Sequence, residues 1–142
     1  MNFYEHWLTK ASAASGVELC AVDSLKAKNL RAEIEARYAS RGTSPLWERF
    51  LDDVGKQRED ATELCCCFNR DNPKVLFFDK TETDRMFILP TGESLQKLLE
   101  ECPLLEFYTT DEAGTFVLCR NHHNYVIGVG ACSSWVRDLE GS

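Results

Sequence analysis

No stretch of the 142-residue chain approaches the roughly 20 consecutive apolar residues that a membrane helix needs. The opening Met1-Asn2-Phe3-Tyr4-Glu5-His6 lacks the basic start of a secretory leader, and no long apolar run follows it. The expected location is therefore the cytoplasm, with no membrane contact. Basic residues are also in short supply: 16 Lys and Arg stand against 23 Asp and Glu, a formal net charge of -7. An acidic surface repels phosphate backbones, which argues against nucleic acid as a partner, and it speeds encounter with basic partners. The same charge also serves plain solubility. A glycine-rich phosphate loop is missing, because Gly128-Val129-Gly130 is followed by no helix of the right kind and reads as close strand packing. There is no internal repeat and no low-complexity segment. No cofactor is expected.

Cysteine is the residue in excess. The seven are Cys20, Cys65, Cys66, Cys67, Cys102, Cys119 and Cys132. An odd number with three adjacent is a poor disulfide framework, and in a reducing compartment such residues act as small buried hydrophobes.

A hydrophobic fraction of 44% at this length fits one globular domain over residues 1–142. The clearest pattern lies between Leu104 and Gly130. Alternating residues and two polar turns, at Thr110–Gly114 and Arg120–Asn124, predict three strands. Upstream, a helix is expected from Asn2 to about Ala14, and a second from Asp23 or Ser24 through Ser40. Ser44-Pro45 reads as the start of a third helix with Trp47, Phe50, Leu51 and Val54 as its buried stripe and Gly55 as its end. Lys56 to Asp60 is the expected charged connection, and the best hinge, between a helical part (1–58) and a sheet-rich part (61–132). Strands are expected at Thr62–Phe68, Lys74–Asp79 and Arg85–Leu89, followed by a short helix capped by Thr91 or Ser94. One terminal turn is expected around Trp135. Val17 to Val22 fits a strand or an extended linker equally. The fold class is α+β: a mainly antiparallel sheet of about five to six strands, with N-terminal helices and one inserted helix packed against it, on one face.

Three clusters invite a chemical reading. Neighbouring residues of a strand point to opposite faces, which places His122 and His123 poorly to share a metal; in a turn they would converge, but no Cys or carboxylate stands at a suitable spacing. A hydrogen-bonded turn braced by Asn121 and Asn124 is the favoured reading of that tetrapeptide. Cys65-Cys66-Cys67 has Glu63 nearby, the wrong sign for a reactive thiolate, and a Cys119–His122 or Cys119–His123 dyad is the one nucleophile arrangement to weigh. Acidic residues gather in predicted turns or at predicted helix ends: Asp52 with Asp53, Glu59 with Asp60, Asp79 with Glu82 and Asp84, Glu100 with Glu101, and Asp111 with Glu112. They read either as solvated loop charge or as a docking rim for a basic partner.

The elements from Lys74 to Gly130 carry a resemblance. They are Val75-Leu76-Phe77-Phe78-Asp79, Met86-Phe87, a short helix with Glu-Cys near its end, Glu106-Phe107-Tyr108 and Asn121-His122-His123-Asn124. This half of the chain resembles small uncharacterised bacterial proteins of polymorphic-toxin loci, where acidic domains act as immunity proteins. The resemblance implies a stoichiometric inhibitor that is not an enzyme. It would occlude a cognate toxin domain that is basic at the contact surface. Candidate contacts are Asp79, Glu82, Asp84, Tyr108, Asp111, Glu112, His122, His123 and Tyr125, with Tyr108, Tyr125 or Trp135 as aromatic anchors. The alternatives are a small enzyme using His122 or His123 as acid–base, with Cys119 or Asp111 assisting, and a non-catalytic adaptor.

Overall fold

The computed structural model describes residues 3–141. Its helices are α1 (Phe3–Ser15), α2 (Ser24–Tyr38), α3 (Ala61–Cys67), α4 (Gly92–Glu100) and α5 (Ser133–Arg137). Its strands are β1 (Cys20–Ala21), β2 (Val54–Gln57), β3 (Lys74–Phe77), β4 (Phe87–Leu89), β5 (Phe107–Thr110), β6 (Phe116–Arg120) and β7 (Tyr125–Gly130). The fold is α+β, and the strands form one open sheet in the order β1-β4-β3-β5-β6-β7-β2 with every pair antiparallel.

The sheet has seven strands rather than five or six. Both additions come from the N-terminal part and form the two edges. Cys20 pairs with Ile88 at one edge, which resolves the ambiguity over residues 17–22. Val54 pairs with Gly128 at the other.

Strand periodicity divides the core in two. Leu76, Phe107, Leu118 and Val126 face one side, where Leu8 of α1, Cys65 of α3, Leu95 and Leu98 of α4 and Val136 of α5 cover them. Phe77, Tyr108, Val117, Cys119 and Ile127 face the other, under Ala27, Leu30 and Ile34 of α2 and the segment carrying Leu46 and Phe50. Helices therefore pack on both faces, not on one. That is why the central strands read as apolar on both sides.

Two local expectations fail for identifiable reasons. Residues 62–68 are helical, not extended. Ala61, Leu64, Cys65 and Phe68 recur at helical spacing, and all four pack into the first core. Gly92 sits against this helix so closely that a Cβ there would lie 2.1 Å from the Cys66 carbonyl oxygen. The expected third helix shrinks to a single 3-10 turn, Leu46–Arg49. The chain then turns extended because its backbone pairs with the exit from α2: Ser40 N–H donates to the Arg49 carbonyl at 2.8 Å and Leu51 N–H to the Tyr38 carbonyl at 2.8 Å. Leu51 leaves the predicted stripe and is exposed, while Val54 enters β2. The expected hinge at 56–60 is likewise pinned: Lys56 and Gln57 belong to β2, and Arg58 N–H donates to the Asn124 carbonyl at 2.8 Å.

Helix starts follow the sequence. Asp23 caps α2 by accepting from Leu25 and Lys26, and Thr91 caps α4 by accepting from Ser94. Asn2, placed at the start of the expected first helix, lies outside the described residues.

Candidate functional site

Antiparallel pairing brings the end of β3, the start of β5, the end of β6, the start of β7 and the end of β2 to one end of the sheet. The register sets Phe77 against Tyr108, Phe107 against Arg120 and Gln57 against Tyr125. The β6–β7 turn crowns this end, and its shape comes from its own asparagines. Asn121 is buried; its Oδ1 accepts from His123 N–H at 3.0 Å and from Tyr125 N–H at 3.0 Å. Asn124 adopts φ 60°, a left-handed conformation that asparagine tolerates. Arg120, also buried, donates from Nη2 to Asn124 Oδ1 at 2.6 Å and from Nη1 to the Leu105 carbonyl at 3.0 Å. The turn is thereby tied to the residues leading into β5.

Of the two arrangements open to the histidines, the structure has the turn and not the strand. Their rings converge, with centroids 3.9 Å apart. Glu106 Oε1 accepts from His122 N–H at 3.0 Å and lies 2.9 Å from His122 Nδ1. Trp47, carried by the 3-10 turn, stands edge-on to both imidazoles, at 6.1 Å and 6.5 Å. Among the described residues no group of three or more His, Cys, Asp or Glu is arranged to hold a metal ion.

Asp79 and Tyr108 have a different place from the one expected of contact residues. Tyr108 is fully buried, with its ring stacked 5.1 Å from Phe77. Its hydroxyl donates to Asp79 Oδ2 at 2.9 Å and accepts from Trp47 N–H at 3.1 Å. Asp79 Oδ1 accepts from Leu46 N–H at 2.8 Å. The pair clamps the 3-10 turn to the sheet and holds Trp47 beside the histidines. Burial pushes the Asp79 carboxyl up from its ordinary range, against the lowering effect of the hydrogen bonds from Leu46 and Tyr108. Burial is also the main cause that keeps the Tyr108 phenol protonated.

The remaining acidic residues do not share one rim. Glu82 is exposed on the β3–β4 loop, close to the Tyr4 phenol. That phenol is raised first by burial and then by the charges of Glu82, Glu106 and Asp79. Asp84, on the same loop, faces α2. Asp111 and Glu112 lie at the opposite end of the sheet. There Asp111 accepts from the N–H of Thr115 at 2.9 Å and from its hydroxyl, and so closes the β5–β6 turn. Tyr125 is half-buried against the second core, and Trp135 of α5 packs against Phe68 at 5.6 Å.

Of the thiols weighed as nucleophiles, Cys65, Cys66 and Cys119 are buried, while Cys67 is exposed. Cys119 is fully buried and burial holds its thiol far above the usual range, so it cannot serve either histidine as a thiolate. Burial holds Cys65 likewise and pushes Cys66 up to about 12.

Sequence reasoning placed Arg120 in the turn without a bracing role, and it missed Glu106 and Trp47 as site residues at this end. Glu106 carried a signal: it is a charged residue set between the apolar Leu105 and Phe107 in an alternating run. Trp47 carried none, since its position depends on a clamp to residues far along the chain. No protein family, curated protein or solved structure compared with the chain matches it.

Proposed function

We propose that this chain is a non-catalytic immunity-type protein that binds a basic bacterial toxin domain and occludes it through the sheet end carrying Glu82, Glu106, His122, His123 and Tyr125. The observation that carries this reading is the rigid seating of exposed groups on a buried polar frame. His122 and His123 project from a turn braced by Asn121, Asn124 and Arg120, next to a carboxylate and an indole. Such preorganisation lowers the ordering cost of association. The net charge of -7 supports fast encounter with a cationic partner, and the resemblance of the C-terminal half supports the toxin context. Asp79 and Tyr108 serve this surface indirectly, by holding Trp47.

If a large secreted-toxin gene lies directly upstream, co-expression with its C-terminal domain tests the reading. Growth rescue by the wild-type chain, lost in a Glu82→Lys/Glu106→Lys variant that still folds, is the expected result. Association should also slow steeply with added salt. Failure of the wild-type chain to rescue growth or to bind that domain refutes the proposal.

The His122–Glu106 pair favours one second reading, since a carboxylate on Nδ1 leaves the other ring nitrogen available for acid–base work. His122→Ala/His123→Ala separates the two. An enzyme loses turnover with binding retained, whereas an inhibitor has no turnover to lose.

A further inference from the structure

A cleft of about 790 Å³ opens between the first half of α2, the end of β1 and the loop before β4. This is within the size range of small-molecule sites. Its charge runs against that of the molecule. Lys28, Arg31, Lys80 and Arg85 line it, against two carboxylates, Glu35 and Asp84. Glu35 is already engaged by Arg49 Nη2 at 2.8 Å, and Arg85 by Glu5 at 3.0 Å. Lys28 and Lys80 have no ion-pair partner among the described residues.

Arg31 gives the cleft its chemistry. Its guanidinium lies 5.4 Å over the Phe77 ring, and its Nη2 is buried with no acceptor. Leaving such a donor unbonded is costly, so the position favours a ligand oxygen. Burial lowers the Arg31 pKa, while Glu35, Asp79 and Asp84 act to raise it. The cation is thus only partly compensated by its neighbours. Ser24 and Leu25, in the first turn of the 15-residue α2, form part of the wall, but the Asp23 carboxylate already caps that helix end, so the cleft's positive field comes from its side chains.

We propose that this cleft binds a phosphate-bearing small molecule, with the Arg31 fork and the Lys28 and Lys80 ammonium groups as its charge partners. Planar guanidinium and mobile ammonium groups are the usual combination for phosphate oxygens. The site shares the β3–β4 loop with the proposed toxin-facing end, through Lys80, Asp84 and Arg85, but its argument does not rest on that reading.

Titration calorimetry of the full chain at low salt, with inorganic phosphate and with adenosine 5′-monophosphate, tests the proposal. Saturable binding of at least one is expected. Lys28→Ala/Lys80→Ala should weaken it at least about tenfold, the scale of a lost charge-assisted hydrogen bond, and Lys97→Ala on α4 should not. Both lysines of the double variant are exposed, so its unliganded melting temperature should match the wild type. Equal affinities assign recognition to the phosphate alone; tighter binding of the nucleotide gives the cleft a role in holding the nucleoside. Absence of saturable binding of either probe at millimolar concentration overturns the proposal. So does equal weakening by Lys97→Ala.

Discussion

One oxygen of Glu106 meets His122 twice, accepting its backbone N–H at 3.0 Å and lying 2.9 Å from its ring Nδ1. A carboxylate at the lead-in to β5 thus fixes both the backbone and the ring of a residue in the β6–β7 turn, sixteen positions away. The exposed imidazole is held by a group that is itself largely covered, with side-chain exposures of 63% and 18%.

Glu106→Ala should therefore loosen the turn more than it destabilises the protein. The expected cost is at most about 1 kcal/mol, because a partly exposed pair gains little in water. Amide exchange at His122 and His123 should rise clearly. Unchanged exchange would show that Asn121 and Arg120 alone hold the turn.

The Asp79–Tyr108 clamp predicts a larger effect. Tyr108→Phe strands the Trp47 N–H and one Asp79 oxygen, at a cost of about 1–3 kcal/mol in urea unfolding. Trp47 should also become more solvent-exposed by fluorescence quenching.

Asp79 predicts a pH dependence. Its folded carboxyl lies above the ordinary value of 3.8, so just above that pH the native state binds more protons than the unfolded chain. The contribution of this group to stability is then greatest below 3.8 and falls as pH rises through the folded pKa. Asp79→Asn should remove that component from a stability profile measured between mildly acidic and neutral pH. A profile parallel to the wild type would refute it.

At Gly92 the crossing of α3 and α4 allows no side chain. Gly92→Ala should destabilise by about 3 kcal/mol or more, since the obstacle is a backbone carbonyl and cannot swing aside. Thermal melting measures this. Gly16, with open space around its Cβ direction, offers a control in which only its positive φ opposes the substitution.

Thiol labelling should distinguish the adjacent cysteines. Cys67 is exposed, whereas Cys65 and Cys66 are fully covered. Under native conditions Cys67 should react rapidly and Cys67→Ser should abolish that phase. Cys65, Cys66, Cys119 and Cys132 should react only on unfolding.

The sequence by itself determined that three strands and two polar turns lie between Leu104 and Gly130, that a cap stands at Asp23 or Ser24 and another at Thr91 or Ser94, and that Asn121–Asn124 form a braced turn. These rest on alternation and on side chains bonding to nearby backbone, so a few neighbouring residues hold the information. Tertiary structure alone decided that residues 54–57 close one edge of the sheet and that the chain after Arg49 is extended. It also brought Asp79 to Tyr108 and separated Asp111 from Glu82. Those outcomes depend on which distant surfaces cover one another, and a backbone segment takes the partner that satisfies its hydrogen bonds over its local preference. Residues 62–68 read as a strand, because three successive cysteines suit one; packing under β6 and β7 made residues 61–67 a helix.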